Sequence, residues 1–412
     1  MCAKPTEGWG NLQEGGQSYH PLRRSLGSSL HLPMMQKWVE YVRRASGDSC
    51  IWNTGHQYGD WLALDREMGD KSVGATDVYF VANAYYIYVT ELVAKTAHVL
   101  GKYEEAAYYE VLREKTLDSF RKEYYTARGR IVSETQTACA LSLYFNLAYE
   151  KDRENIVQML VSNIEDHQNH LTTGFVGTPY LCHALSENKA HDTAGLLFMR
   201  EDLPSWLYAV NKGATTLWER WDAVLPDGTM QDPGLNSMNH YANGAIGDWM
   251  YRKIGGINQT KAGYRRFYVK PMFVRGIEEA RTELESPYGK IVSCWSCRNG
   301  KIRVEVSVPA NTRADLFLPE KEESFEVGSG THVYEYDTNT SLKELKFTLD
   351  STLGEILDEP LGMKMMEEML PELVHNPMIE YARQMTLAEG ISSAPEVKAV
   401  YEAVLKELNA QM

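Results

Sequence analysis

The sequence predicts a mainly α chain with an all-β second domain: a partial toroid of helical hairpins, then an antiparallel β-sandwich, then a small C-terminal helical module. Three observations predict it. Apolar residues recur at helical spacing from about Pro33 to Gly255, fall on every second position beyond Gly256, and return to helical spacing over the C-terminal stretch. A chain of 412 residues is also too long for one ordinary core, which fits several domains.

In the first stretch Met35, Trp38 and Val42 share one helix face, as do Tyr85, Tyr88 and Leu92, and then Ala106, Tyr109 and Leu112. Short turns such as Leu100-Gly101-Lys102 and Ala127-Arg128-Gly129 separate helices into pairs. The run ACALSLYFNLAY from Ala138 is apolar nearly all round, whereas KDRENIVQMLVSNI after it has a charged face. A wholly buried helix followed by a half-exposed one is what two concentric helix layers produce. Beyond Gly256, KIRVEVSV places Ile302, Val304, Val306 and Val308 on one face, RADLFLP and THVYEY are strand-like, and Asn299-Gly300 and Pro309-Ala310-Asn311 are turn signals. Near the C-terminus Val397, Val400, Tyr401, Val404 and Leu408 form an amphipathic stripe, and Met363, Met365, Met366 and Met369 read as core filling of a small bundle. The predicted boundaries are an irregular segment over 1–32, helical hairpins over 33–255, the sandwich over 256–350 and the helical module over 351–412.

The net charge of −14 argues against a nucleic-acid partner, which needs a clustered basic face. No apolar run reaches membrane-spanning length and no secretory leader is visible, so no membrane is expected as a partner and the expected location is cytoplasmic. Six cysteines do not make a secreted disulfide framework. The pair Cys294 and Cys297 lacks a second pair at zinc spacing and lies in a strand-rich run, so metal or redox duty is the minor reading there. No glycine-rich phosphate loop and no GxSxG elbow occur, and His167 and His170 in EDHQNH read as a solvated helix end. No cofactor and no metal are expected.

Three runs mix tryptophan with carboxylates: YGDWLALD with Asp60, Trp61 and Asp65; PSWLYAVNKGATTLWERWD with Trp206, Trp218, Glu219, Arg220, Trp221 and Asp222; and MNHYANGAIGDWMYRKIGG with Asn239, His240, Tyr241, Asp248 and Trp249. Indole faces stack on pyranose rings, and carboxylates grip vicinal hydroxyls or split glycosidic bonds as an acid and base pair. Any one run is explained about as well by ordinary core packing, and Asp248-Trp249 better so; three in one domain weaken that explanation considerably. Burial beside indole would raise the Glu219 pKa and a contact with Arg220 would lower it, an alternative that sequence leaves open.

At these residues the chain resembles the bacterial α-L-rhamnosidases of the large family 78 type. The matching runs are GDWLALD (Gly59–Asp65), TGFVGTPYL (Thr173–Leu181), PSWLY with GATTLWERWD (Pro204–Asp222) and MNHYANGAIGDWMYR (Met238–Arg252), followed by ESPYGKIVSCWS and VPANTRADLFLP. The resemblance implies a partial (α/α)6 catalytic barrel and an inverting hydrolysis of terminal α-L-rhamnosyl groups from a rhamnose-containing oligosaccharide or glycoside. It implies that Glu219 is the base that activates water and that His240 hydrogen-bonds the sugar. Trp9, Trp61 and Trp206 match tryptophans of the rhamnose pocket, and Asp60 a residue that shapes it. The family's general-acid motif, of the type DxPxRxERxGWxGD, has no match here, and NLQEGGQSYHPLRRSLGSS stands where GWGDA and an apolar helix are expected. Impaired catalysis is therefore expected. The alternatives are a non-catalytic rhamnose-binding protein, or another (α/α)6 exo-glycosidase or polysaccharide lyase.

Overall fold

Helices of the first half pack by the apolar flanks that their three- and four-residue spacing creates. The computed structural model describes residues 21–66, 72–231, 233–343 and 347–410. Two units, Met1–Leu342 and Lys343–Met412, divide the chain.

In the first unit, α1 (Pro21–Ser46) buries Met35, Val39 and Val42 against Tyr86, Val89 and Val93 of α2 (Val78–Val99). Three consecutive hairpins follow the predicted two-layer logic: α2 with α3 (Tyr103–Tyr124), α4 (Gln136–Tyr144) with α5 (Arg153–Asp166), and α6 (Thr178–Glu187) with α7 (His191–Met199). Helix α4 is buried from Gln136 to Leu143, while α5 buries only Ile156, Val157, Leu160 and Ile164. Apolar on all sides, α4 belongs to the inner layer; α5, with its charged flank, belongs to the outer. A short α8 (Trp206–Asn211) precedes α9 (Ile246–Trp249), which continues as a π turn over Met250–Ile254. No described helix is long and apolar enough to cross a membrane.

The inner helices start from side-chain caps. Asp77 accepts the Phe80 amide, Thr135 that of Ala138 and Ser205 that of Tyr208, satisfying donors that the first helical turn leaves free. The loop leading into α2 carries the YGDWLALD run, and the Asp77 cap fixes where that loop ends.

A two-sheet sandwich follows, with β1 (Ile257–Gln259), β2 (Arg266–Val269), β6 (Arg313–Leu316) and β7 (Phe325–Val327) in one sheet. The other holds β3 (Glu279–Ser286), β4 (Gly289–Arg298), β5 (Lys301–Val308) and β8 (Gly330–Asp337). Strand β5 alternates as the period-two pattern requires, with Ile302, Val304, Val306 and Val308 buried. One pairing departs from the antiparallel expectation: β2 and β6 run parallel, because the chain crosses through β3, β4 and β5 before returning. Cys294 and Cys297 lie three apart on β4 and so face opposite sides; Cys297 is buried with its Sγ 3.5 Å from the Thr340 carbonyl, and Cys294 pairs across the ladder with Arg281 and Glu305.

The second unit is a small helical module with its own core of Leu353, Ile356, Leu387, Tyr401, Val404 and Leu408. Thr352 and Thr386 each head a capping box, with Glu355 and Glu389 as reciprocal partners. The methionines divide: Met366 is fully buried, while Met363 and Met369 keep 37% and 43% of their surface.

Candidate active site

Loops converging on the starts of α2, α6 and α9 line an open cavity of about 100 Å³. Trp38 and Val42 of α1, Trp52, and Val78, Val81, Ala82 and Tyr85 of α2 form its apolar side. Tyr58, Trp61, Phe175, His240 and Tyr241 close the end made by loops. Among the described residues that line it, none carries a carboxyl group.

Trp61 reaches the cavity from a tight turn. Gly59 holds φ +59°, and a Cβ there would meet Val78 Cγ1 at 2.9 Å, so only glycine lets the turn press against α2. Tyr58 packs edge-on against the Trp61 indole at 5.8 Å. His240 is stacked between Phe175, 4.7 Å away, and Tyr241, 5.2 Å away. Its Nδ1 accepts the Ala242 amide at 3.3 Å, which leaves Nε2 as the N–H donor of the neutral ring.

Glu219 stands on a segment laced to that of His240. The Glu219 amide donates to Ser237 O at 2.9 Å, the His240 amide to Leu217 O at 2.8 Å, and the Thr216 hydroxyl to Met238 O. The Glu219 Oε2 accepts the Ser237 amide at 2.8 Å and the residue is only partly buried. The Arg220 guanidinium grips Asp222, with contacts of 2.8 and 3.1 Å, and Gln231 adds a third bond to the same carboxylate at 2.7 Å. Arg220 is thereby committed to fixing the loop.

The other expected residues take different places. Asp60 is fully buried beneath the cavity and accepts four hydrogen bonds, from the Thr137 hydroxyl and the amides of Gly174 (2.8 Å), Val176 (2.9 Å) and Gly177 (3.2 Å). Burial pushes its carboxyl up to about 6 against the pull of those donors. Trp206 does not line the cavity: it is 7% exposed, its indole N–H donates to Asn243 O at 2.8 Å, and it meets Trp221 edge-to-face at 5.2 Å. Trp221 in turn donates to Thr173 O at 2.9 Å. The two indoles tie the 173–178 and 240–245 loops to one another. Trp9 lies outside the described residues.

Of the third run, Trp249 is buried and donates to Ser186 Oγ at 2.9 Å, while Asp248 faces His183 Nε2 at 3.0 Å and Arg252 at 3.3 Å. Burial lowers the pKa of His183, and none of these residues lines the cavity. His170, expected to be solvated, keeps only 11% of its side-chain surface and pairs with Asp202 at 3.0 Å. Sequence reasoning assigned no role to Phe175. Its only local signal is its place between two glycines of TGFVG, both needed for close approach: a Cβ on Gly174 would sit 2.2 Å from Trp61 O, and one on Gly177 2.2 Å from Thr137 Oγ1.

Residues 29–254 match the family described as the bacterial alpha-L-rhamnosidase 6 hairpin glycosidase domain, and residues 256–333 the bacterial alpha-L-rhamnosidase C-terminal domain. The chain is 38% identical to an alpha-L-rhamnosidase of Formosa agariphila over 296 residues, covering 71% of this chain and 32% of the relative. Against one from Streptomyces avermitilis the identity is 35%, over 73% of this chain and 30% of the relative. It thus spans about a third of the length of these curated relatives. Among solved structures, the Streptomyces avermitilis alpha-L-rhamnosidase complexed with L-rhamnose superposes with a TM-score of 0.72 at 32% identity, over 80% of this chain and 32% of that one. The native enzyme from Aspergillus terreus gives 0.71 at 33%, over 74% of this chain and 36% of that one.

Proposed function

The chain belongs to the bacterial α-L-rhamnosidase six-hairpin glycosidase family, and on that premise we propose that it binds terminal α-L-rhamnosyl groups and hydrolyses them by inversion, with impaired catalysis. One observation carries the site assignment: Trp61 and His240 line one cavity, and Glu219 sits on the segment paired to His240. An apolar wall suits a sugar whose C6 is a methyl group, and the His240 Nε2–H suits a hydroxyl acceptor. Glu219, with its neighbouring Arg220 engaged by Asp222, is left to activate water as the general base. Inversion needs a second carboxyl as acid, and the cavity wall holds none among the described residues. General acid catalysis is worth about 10²–10⁴-fold, so aryl rhamnosides, whose leaving groups need little protonation, are the best substrates.

The test is release of nitrophenol from 4-nitrophenyl α-L-rhamnoside by the full chain and by Glu219→Gln. The expected result is a slow rate that the substitution lowers at least about a hundredfold. An unchanged rate in Glu219→Gln refutes the assignment of the base. Binding of L-rhamnose without turnover of any rhamnoside supports the second reading, a non-catalytic rhamnose-binding protein, which the carboxyl-free wall favours. A cytoplasmic location belongs to the same proposal; the thiols of Cys139, Cys182 and Cys297, buried and unpaired, suit a reducing compartment, and cell fractionation tests it.

A further inference from the structure

A carboxylate offers about four lone-pair positions, and in Asp60 all four are taken. Oδ1 accepts the Val176 and Gly177 amides; Oδ2 accepts the Gly174 amide and the Thr137 hydroxyl. With no exposed surface and no acceptor position left, Asp60 has nothing to offer a sugar hydroxyl. Its partners are separated from it by 77 to 117 residues of chain, and three of them are amides of one loop, Gly174, Val176 and Gly177. Such converging N–H groups form a nest that binds an anion, and here the anion is supplied from within.

Between those amides lies Phe175. Its own N–H donates to Trp61 O at 2.9 Å, so the residue after the buried acid and the residue inside the nest are tied backbone to backbone. The Phe175 ring then stacks on His240. The chain of contacts runs from Asp60 through the nest to Phe175 and on to His240, and both ends of the Trp61–Phe175 bond line the cavity.

We propose that Asp60 is a positioning residue: its carboxylate occupies the Gly174–Gly177 amide nest and so holds Phe175 against His240, setting the shape of the sugar-binding wall without touching the sugar. The sugar-binding arm of this proposal rests on the rhamnoside reading given above; the loop-anchoring arm does not.

The first measurement needs no ligand. In Asp60→Asn the side-chain NH2 meets amide donors whichever way it turns, since each carboxylate oxygen faces at least one backbone N–H. Hydrogen exchange of the full chain is expected to show the Gly174, Val176 and Gly177 amides exchanging at least about tenfold faster in the variant, with the β5 amides unchanged. Unchanged protection in the nest overturns the proposal.

The second measurement is a double-mutant cycle on L-rhamnose affinity by calorimetry. Asp60→Asn and Phe175→Ala are each expected to weaken binding about tenfold or more, and the double variant to bind no more weakly than Phe175→Ala alone. Additive losses overturn the route through Phe175, and a merely structural role would give them. If the unsubstituted chain does not bind L-rhamnose, the rhamnoside reading falls and the exchange result alone decides the role of Asp60. Should Asp60→Asn fail to fold, Thr137→Val replaces it. That variant removes one donor of four and is expected to give smaller changes, about two- to fivefold, at the same amides and in the same affinity. No change in Thr137→Val then overturns the proposal.

Discussion

Adding one methyl group at Gly174 and at Gly247 should have opposite effects, and the size of each follows from the space around each glycine. A Cβ on Gly174 would lie 2.2 Å from Trp61 O, 2.6 Å from Ala63 N and 2.9 Å from Asp60 Oδ1. The two nearest atoms are backbone, so the 173–178 loop has to part from the 60–63 turn by on the order of 1 Å. That movement breaks the Phe175 N–H bond to Trp61 O and stretches three amide bonds to a buried carboxylate. A neutral hydrogen bond is worth about 1 kcal/mol net and one to a charged group about 1.5–3, with partial loss of each expected. Together with the overpacking strain, Gly174→Ala should destabilise the first unit by about 3–5 kcal/mol. A Cβ on Gly247, in α9, meets nothing within 4 Å, so Gly247→Ala should stabilise by about 0.5–1 kcal/mol through reduced freedom of the unfolded chain. The assay is urea unfolding followed by tryptophan fluorescence. All nine tryptophans fall within Met1–Leu342, so the signal reports that unit alone. A loss below about 1 kcal/mol in Gly174→Ala, or a destabilised Gly247→Ala, would refute the close-approach argument.

Two more outcomes follow from the geometry. The Asp60 carboxyl, raised from 3.8 to about 6 by burial, binds its proton more tightly in the folded than in the unfolded state. Its contribution to stability is therefore greatest below pH 3.8, declines as pH rises to about 6 and is flat above, and Asp60→Asn should remove that slope from a series of urea unfolding curves. On β4, a thiol reagent should label Cys294 in the native chain and reach the buried Cys297 only in denaturant; Cys294→Ser should then lower the native count by one, and an equal drop in Cys297→Ser would contradict the strand's facing.

Local pattern carries the fold class because burial repeats along the chain at the period of each element. The all-round apolar α4 and the half-charged α5 were readable as inner and outer helices from their own residues, and β5 announced its buried face by alternation. The parallel pairing of β2 with β6 was not readable, since it joins residues almost fifty positions apart and neither strand alone shows its partner's direction. The short list of Trp61, Glu219 and His240 came from motifs, which record residue types in order.

Residue periodicity alone is enough to predict the succession of hairpins, sandwich and helical module, and the motifs mark the loops that line the cavity. Where each residue of those loops is placed depended on tertiary packing. Arg220 turned to Asp222, Trp206 is buried edge-to-face against Trp221, Phe175 came to the cavity wall, and Asp60 found its partners 77 to 117 residues away. The reason is physical: helical and strand periodicity are properties of neighbours in sequence, whereas a carboxylate's role depends on which donors surround it, and those donors are brought by packing from distant parts of the chain.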